Sequence, residues 1–330
     1  MTKNLSGAVA AAAFAFGASA SNAADELTVA YFLEWPMPFQ FAKAQGTYEK
    51  ELGVPVNWVA FDTGTAMSAA MASGDVQIAL SQGLPPFVVA ASAGQDLKIV
   101  DVAVSYSDND NCVVAEALEI DKTNAGDLAG KKVGVPIGTA AHYGFIRQMD
   151  HFGVDLASLD IVDMAPPEGA AAFAQGNMDM VCGWGGALRR MKEHGNVLLT
   201  GAEKEELGIL VFDVISAPAD FAAENGELLS KFLKVTADAN AMWNDGGKQS
   251  EMLPVIAKDA GMDLADAEAS ITTFTFPALN DALGEKWLSG GVQEFMTGVA
   301  GVFKTAGSIP ATLDSYDDAV DATYLEAAKG

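Results

Sequence analysis

Basic residues are scarce in this chain: 19 Lys and Arg stand against 44 Asp and Glu, a net charge of −25. A surface that acidic repels polyanions, and no basic run longer than Arg189-Arg190 offsets it, which argues against nucleic acid and anionic lipid as partners. Three histidines and two cysteines are too few for a metal cluster or a disulfide framework, so neither metal nor other cofactor is expected. Cys112 and Cys182 lie in apolar runs, where two buried free thiols are the expectation; a bridge needs those runs to become neighbouring strands. Neither has a basic neighbour in sequence to lower its pKa, which argues against a catalytic thiolate. Also missing are a Walker pattern, a dinucleotide fingerprint and a nucleophile–base spacing, so no enzyme motif is present.

The N-terminus does carry a signal. Lys3 precedes an apolar run from Ala8 to Ala18, too short to span a membrane, and Ser21 and Ala23 suit the −3 and −1 positions of a signal-peptidase site. Residues 1–23 therefore read as a secretory signal peptide of bacterial type. No cysteine lies near the cut, so the product is expected as a soluble periplasmic protein rather than a lipoprotein. What remains, some 305 residues by 50% hydrophobic composition overall, exceeds a usual single core and predicts two lobes.

From Glu26 onward short β-branched runs alternate with helical stretches, the pattern of doubly wound α/β lobes. Strands are expected at 27–31, 54–60, 76–80 and 99–104, then at 112–115, 132–135, 161–164, 180–182, 197–200 and 210–216. Helices are expected between them, at 39–48, 66–73, 85–93, 141–152, 169–175 and 186–194, and helical periodicity continues from Pro218 to Gly307. The two blocks echo each other: Ala70 to Ile78 and Ala172 to Met180 each close a helix with glycine and pass straight into a strand. This predicts two similar lobes, 24–107 plus 217–330 and 108–216, with the chain crossing near Tyr106–Asn111 and near Ser216.

One turn stands out chemically. Val133 and Val135 end at Pro136 and Gly138, and Thr139 is placed to cap a helix running through Tyr143, Phe145 and Met149. The first amides of a helix lack intrahelical partners and sit at the positive end of its dipole, so this turn suits a carboxylate, sulfonate or phosphate. The same residues also describe an ordinary strand-to-helix connection.

Thr28-Val29-Ala30-Tyr31, Phe61-Asp62-Thr63-Gly64, Ala72 to Ile78, Val88 to Ser92, Val135-Pro136 with His142-Tyr143, Gly183-Trp184 and Phe212-Asp213-Val214 carry a family resemblance in order along most of the chain. The chain resembles the substrate-binding proteins of nitrate/sulfonate/taurine-type ABC importers. The resemblance implies a type II periplasmic-binding-protein fold, two lobes joined by a two-crossover hinge, and a monomer that hands a small taurine-like zwitterion to permease subunits. It also implies a site. Gln82-Gly83-Leu84 and Thr139-Ala140-Ala141-His142 are expected to face each other and offer amides to an anion, Trp184 to form an apolar wall, and Asp213 to pair with an amine near the hinge. Asp110 and Asn111, in the first crossover, are expected near the ligand. Glu34 and Trp35 stand in Glu34-Trp35-Pro36, where a member of the family has small polar residues in a shorter loop, and a carboxylate beside an indole suits an alkylammonium group. The alternatives are a different amine or sulfonate, or a thiamine-pyrimidine-type enzyme of the same fold.

Overall fold

The computed structural model describes residues 26–329; the leader expected over 1–23 lies outside them. Eleven strands follow the β-branched runs: β1 (Leu27–Tyr31), β2 (Val56–Ala60), β3 (Ile78–Gly83), β4 (Leu97–Tyr106), β5 (Asp110–Ala115), β6 (Lys132–Val135), β7 (Asp160–Asp163), β8 (Met180–Trp184), β9 (Gly195–Val197), β10 (Phe212–Pro218) and β11 (Phe274–Thr275). They form two sheets, one ordered β11-β4-β10-β3-β1-β2 and the other β7-β6-β8-β5-β9. Parallel pairing of β1 with β2 and β3 requires helices as crossovers, and the segments Phe39–Ala44 with Thr47–Leu52 and Gly64–Ser73 provide them. β10 enters antiparallel between β3 and β4, setting Asp213 opposite Gly83 on one side and Val104 on the other. With helices covering both sheets and β10 returning from the second block, this is the type II periplasmic-binding-protein fold.

Three differences from the sequence reading have physical causes. The helix expected over 39–48 breaks at Gly46, whose φ of 66° lies in the left-handed region. The run 197–200 yields only the end of β9, because Thr200 caps the helix Gly201–Glu206 in a reciprocal capping box with Glu203. The return crossing falls before Phe212 rather than near Ser216, because the whole of Phe212–Pro218 is a strand of the first sheet.

The expectation of free thiols is corrected: Cys112 and Cys182 are bridged. Antiparallel pairing of β5 with β8 puts the two cysteines directly opposite each other, and nothing in either apolar run alone reveals that register. The bridge joins residues 70 apart in sequence. In the chain-entropy account such a loop stabilises the fold by about 4 kcal/mol, so the Cys112→Ala/Cys182→Ala variant should unfold at markedly lower urea. A loss under about 1 kcal/mol would mean that the unfolded chain keeps comparable order without the bridge.

Candidate ligand-binding site

Between the sheets lies a small cavity, with about 20 Å³ of room for the centre of a water-sized sphere. The first lobe contributes Phe32, Trp35, Gly64, Gly83, Pro86, Tyr106 and Asp213; the second contributes Asp110, Thr139, Ala140 and Trp184. None of these is Lys or Arg, so any anion held here is met by neutral donors. Phe32 and Trp184, with ring centroids 5.9 Å apart, separate the cavity from a wider mouth that Glu34, Gly185 and Gly186 help to line.

Asp213 is 2% exposed and fixed by two hydroxyls: Ser81 Oγ donates to Oδ2 and Tyr106 OH to Oδ1, each at 2.6 Å. Gly83 stands opposite it in the sheet, packed closely on Pro86: a Cβ there would lie 3.3 Å from Pro86 Cδ and 3.6 Å from Asp213 Oδ1. Burial pushes the Asp213 carboxyl up to about 6, against the pull of those two hydrogen bonds. Asp110, the first residue of β5, is 1% exposed, and its Oδ2 is buried with no hydrogen-bond partner. Burial raises it to about 7, opposed by the positive charge of Lys204, whose Nζ donates to the Asp110 carbonyl oxygen from behind the cavity.

Across from Asp213 stands the start of the helix Ala140–Phe152. Thr139 caps it, accepting from the His142 amide at 3.4 Å while its hydroxyl donates to Pro136 O at 2.6 Å. Tyr143 N bonds Thr139 O, which leaves the amides of Ala140 and Ala141 as the first-turn donors without an acceptor. Gly138, at φ 79°, brings this turn against the first lobe: a Cβ there would meet Thr65 Cγ2 at 3.3 Å.

The remaining residues named from the sequence are distributed differently. Gln82 lies in the interior, its amide donating to Gly64 O and Ser68 and accepting from Ser216. Leu84 is fully buried, and the helix it opens carries Pro85 and Pro86 next, so that helix end has few amides to offer. Asn111 turns away to Leu199 O, and Ala141 is buried in the first turn of its helix without lining the cavity. His142 stacks on Phe303 at 5.3 Å, accepts from the Gly138 amide through Nδ1, and is held down to about 4 by burial. Glu34 is engaged by Arg190, which donates to its two oxygens at 2.7 and 3.0 Å across the mouth. Tyr106, Phe32, Gly64 and Pro86 carry no site role in the sequence reading; Gly64 and Tyr106 lie within segments it singles out, and that was the available signal.

The family's sequence model, described as NMT1/THI5 like, matches residues 36–245, and the chain belongs to that family. It is 29% identical to the taurine-binding periplasmic protein of Escherichia coli K12 over 323 residues, 96% of this chain and 97% of that one. Among solved structures, the alkanesulfonate-binding protein SsuA from Xanthomonas axonopodis pv. citri bound to MOPS superposes with a TM-score of 0.75 at 19% identity, covering 91% of this chain and 99% of that one. The periplasmic aliphatic sulphonate binding protein SsuA from Escherichia coli gives 0.69 at 22% identity, covering 88% and 96%. These two likenesses establish the shared fold.

Proposed function

We propose that the protein is the periplasmic substrate-binding component of an ABC importer, a monomer that captures taurine or a closely related aminosulfonate between its lobes and delivers it to the permease subunits without chemical change. The observation that carries this reading is the polarity of the cavity: carboxylates of Asp213 and Asp110, and opposite them a capped helix end, with no basic side chain between. The unpartnered, buried Nε1 of Trp35 is a further neutral donor in the residues lining the cavity. Apolar contact is insufficient, since taurine's two methylenes contribute about 1.6 kcal/mol and micromolar binding needs about 8. Four or five hydrogen bonds to charged groups, at about 1.5–3 kcal/mol each, close that gap. An enzymatic role finds less support: both cysteines are consumed by their bridge, and His142 stacks on Phe303.

A thermal-shift screen tests the reading and its pH dependence together. Taurine at a hundredfold excess over its dissociation constant should stabilise the protein by about 2.7 kcal/mol. A shift with simple amines and none with any aminosulfonate would instead select an amine binder. The free protein has its own pH trend. Asp101 and Asp110, raised to about 7, and Asp213, raised to about 6, keep their protons in the fold where the unfolded chain has released them. Between about pH 4 and 7 the native state thus binds more protons at these sites, and they destabilise it as pH rises. His142, lowered to about 4, acts in the opposite sense over part of that window but is one group against three. The unliganded midpoint should therefore be higher near pH 5.5 than near pH 8, while the taurine shift, which needs ionised carboxylates, should be larger near pH 8.

A further inference from the structure

We infer that Asp110 is a second acceptor for the ligand's ammonium group, so that the site selects amines that carry N–H bonds and rejects quaternary ones. The inference rests on the aminosulfonate reading and specifies how the amine end is recognised. Among the described residues lining the cavity, Asp110 supplies the one acid oxygen, Oδ2, that is both buried and without a hydrogen-bond partner. A buried carboxylate oxygen left bare is costly, and an N–H donor on the ligand would relieve it, because Lys204 spends its Nζ on the Asp110 carbonyl.

The charges agree. Asp110 and Asp213 are close enough to oppose each other's ionisation, and burial raises both, so an ammonium between them is the group that favours their charged forms. Tyr106 is spent on Asp213 through its hydroxyl, and Trp35 packs its ring on Tyr106 at 4.7 Å and on Phe274 at 4.5 Å. An aromatic cage for a trimethylammonium needs several free ring faces; here Trp35, Tyr106 and Phe274 pack on one another, and Phe32 and Trp184 are paired at the mouth. A primary ammonium offers three N–H donors and can serve Asp213 and Asp110 Oδ2 at once. A quaternary one serves neither by hydrogen bonding.

Titration calorimetry with taurine, its mono-, di- and trimethylated derivatives and ethanesulfonate tests this on the wild-type protein and on Asp110→Asn. In the wild type, affinity should fall at each methylation and by at least about a hundredfold from taurine to the trimethyl form. Asp110→Asn should weaken taurine at least about tenfold, leave ethanesulfonate within about threefold, and shrink the gap between taurine and the trimethyl form. Trimethyltaurine binding the wild type within about tenfold of taurine would overturn the inference even if the variant failed to fold. So would unchanged taurine affinity in Asp110→Asn, the result expected of a neutral Asp110 donating to the sulfonate, or equal losses for taurine and ethanesulfonate. Should the wild type bind no taurine at all, the aminosulfonate reading falls and this inference with it; any other failure, with taurine bound, removes this inference alone.

Discussion

Asp213→Asn is expected to weaken taurine binding by about 2–4 kcal/mol while changing ethanesulfonate far less, because it removes one partner of a buried charge pair that the second ligand never forms. The substitution keeps the side chain's size, and Ser81 and Tyr106, which donate to it at 2.6 Å, can each turn a hydroxyl to accept from the new amide. The wall is thus preserved while its charge is lost. Calorimetry with both ligands reads the effect as a difference of differences. Equal losses would mean that Asp213 supports the cleft in general, and the amine would then need another anchor; Glu34 is a poor candidate, since Arg190 already holds both its oxygens.

The second large effect is expected at Gly185 and should be indifferent to ligand chemistry. A Cβ at this position would lie 2.7 Å from the Glu34 carbonyl oxygen, in a backbone segment pinned by the bond from Glu34 N to Ala260 O at 2.8 Å. Gly185→Ala places a wedge between the lobes. The φ of 57° at Gly185 is strained for alanine, but that cost is present with lobes apart or together and cancels from the affinity. The clash exists only when they meet, so taurine and ethanesulfonate should both weaken by about 1–3 kcal/mol, the usual scale of overpacking. Arg190→Gln, which cuts the partly exposed bridge to Glu34, should weaken both by about 1 kcal/mol or less. A change confined to taurine in either variant would place these residues at the ligand instead of at the mouth.

The sequence carried the layering of the fold and less of the chemistry. Short β-branched runs located β1 and β6 to the residue, because a buried parallel strand has few other ways to be written. Thr139 was legible as a cap because its role is local, decided within four residues. Asp213 was legible because a carboxylate inside an apolar strand demands a reason. Glu34, Gln82 and His142 were misleading for the opposite cause: their partners Arg190, Ser216 and Phe303 are brought by other elements, 156, 134 and 161 positions away, and only the folded register reveals them. Pro85 and Pro86 were in plain view, and the amides they remove from that helix end follow from their chemistry alone.

The bridge between Cys112 and Cys182 also bears on when the second lobe becomes firm. It clips β5 to β8 two residues from Asp110 and from Trp184, which are themselves paired across those strands. In a reducing compartment the pair remains as thiols and the lobe lacks the ~4 kcal/mol that closing the loop supplies, so a newly made chain stays comparatively easy to unravel. On the periplasmic role proposed above, oxidation after export acts as a ratchet, setting the cleft only where solute is to be collected.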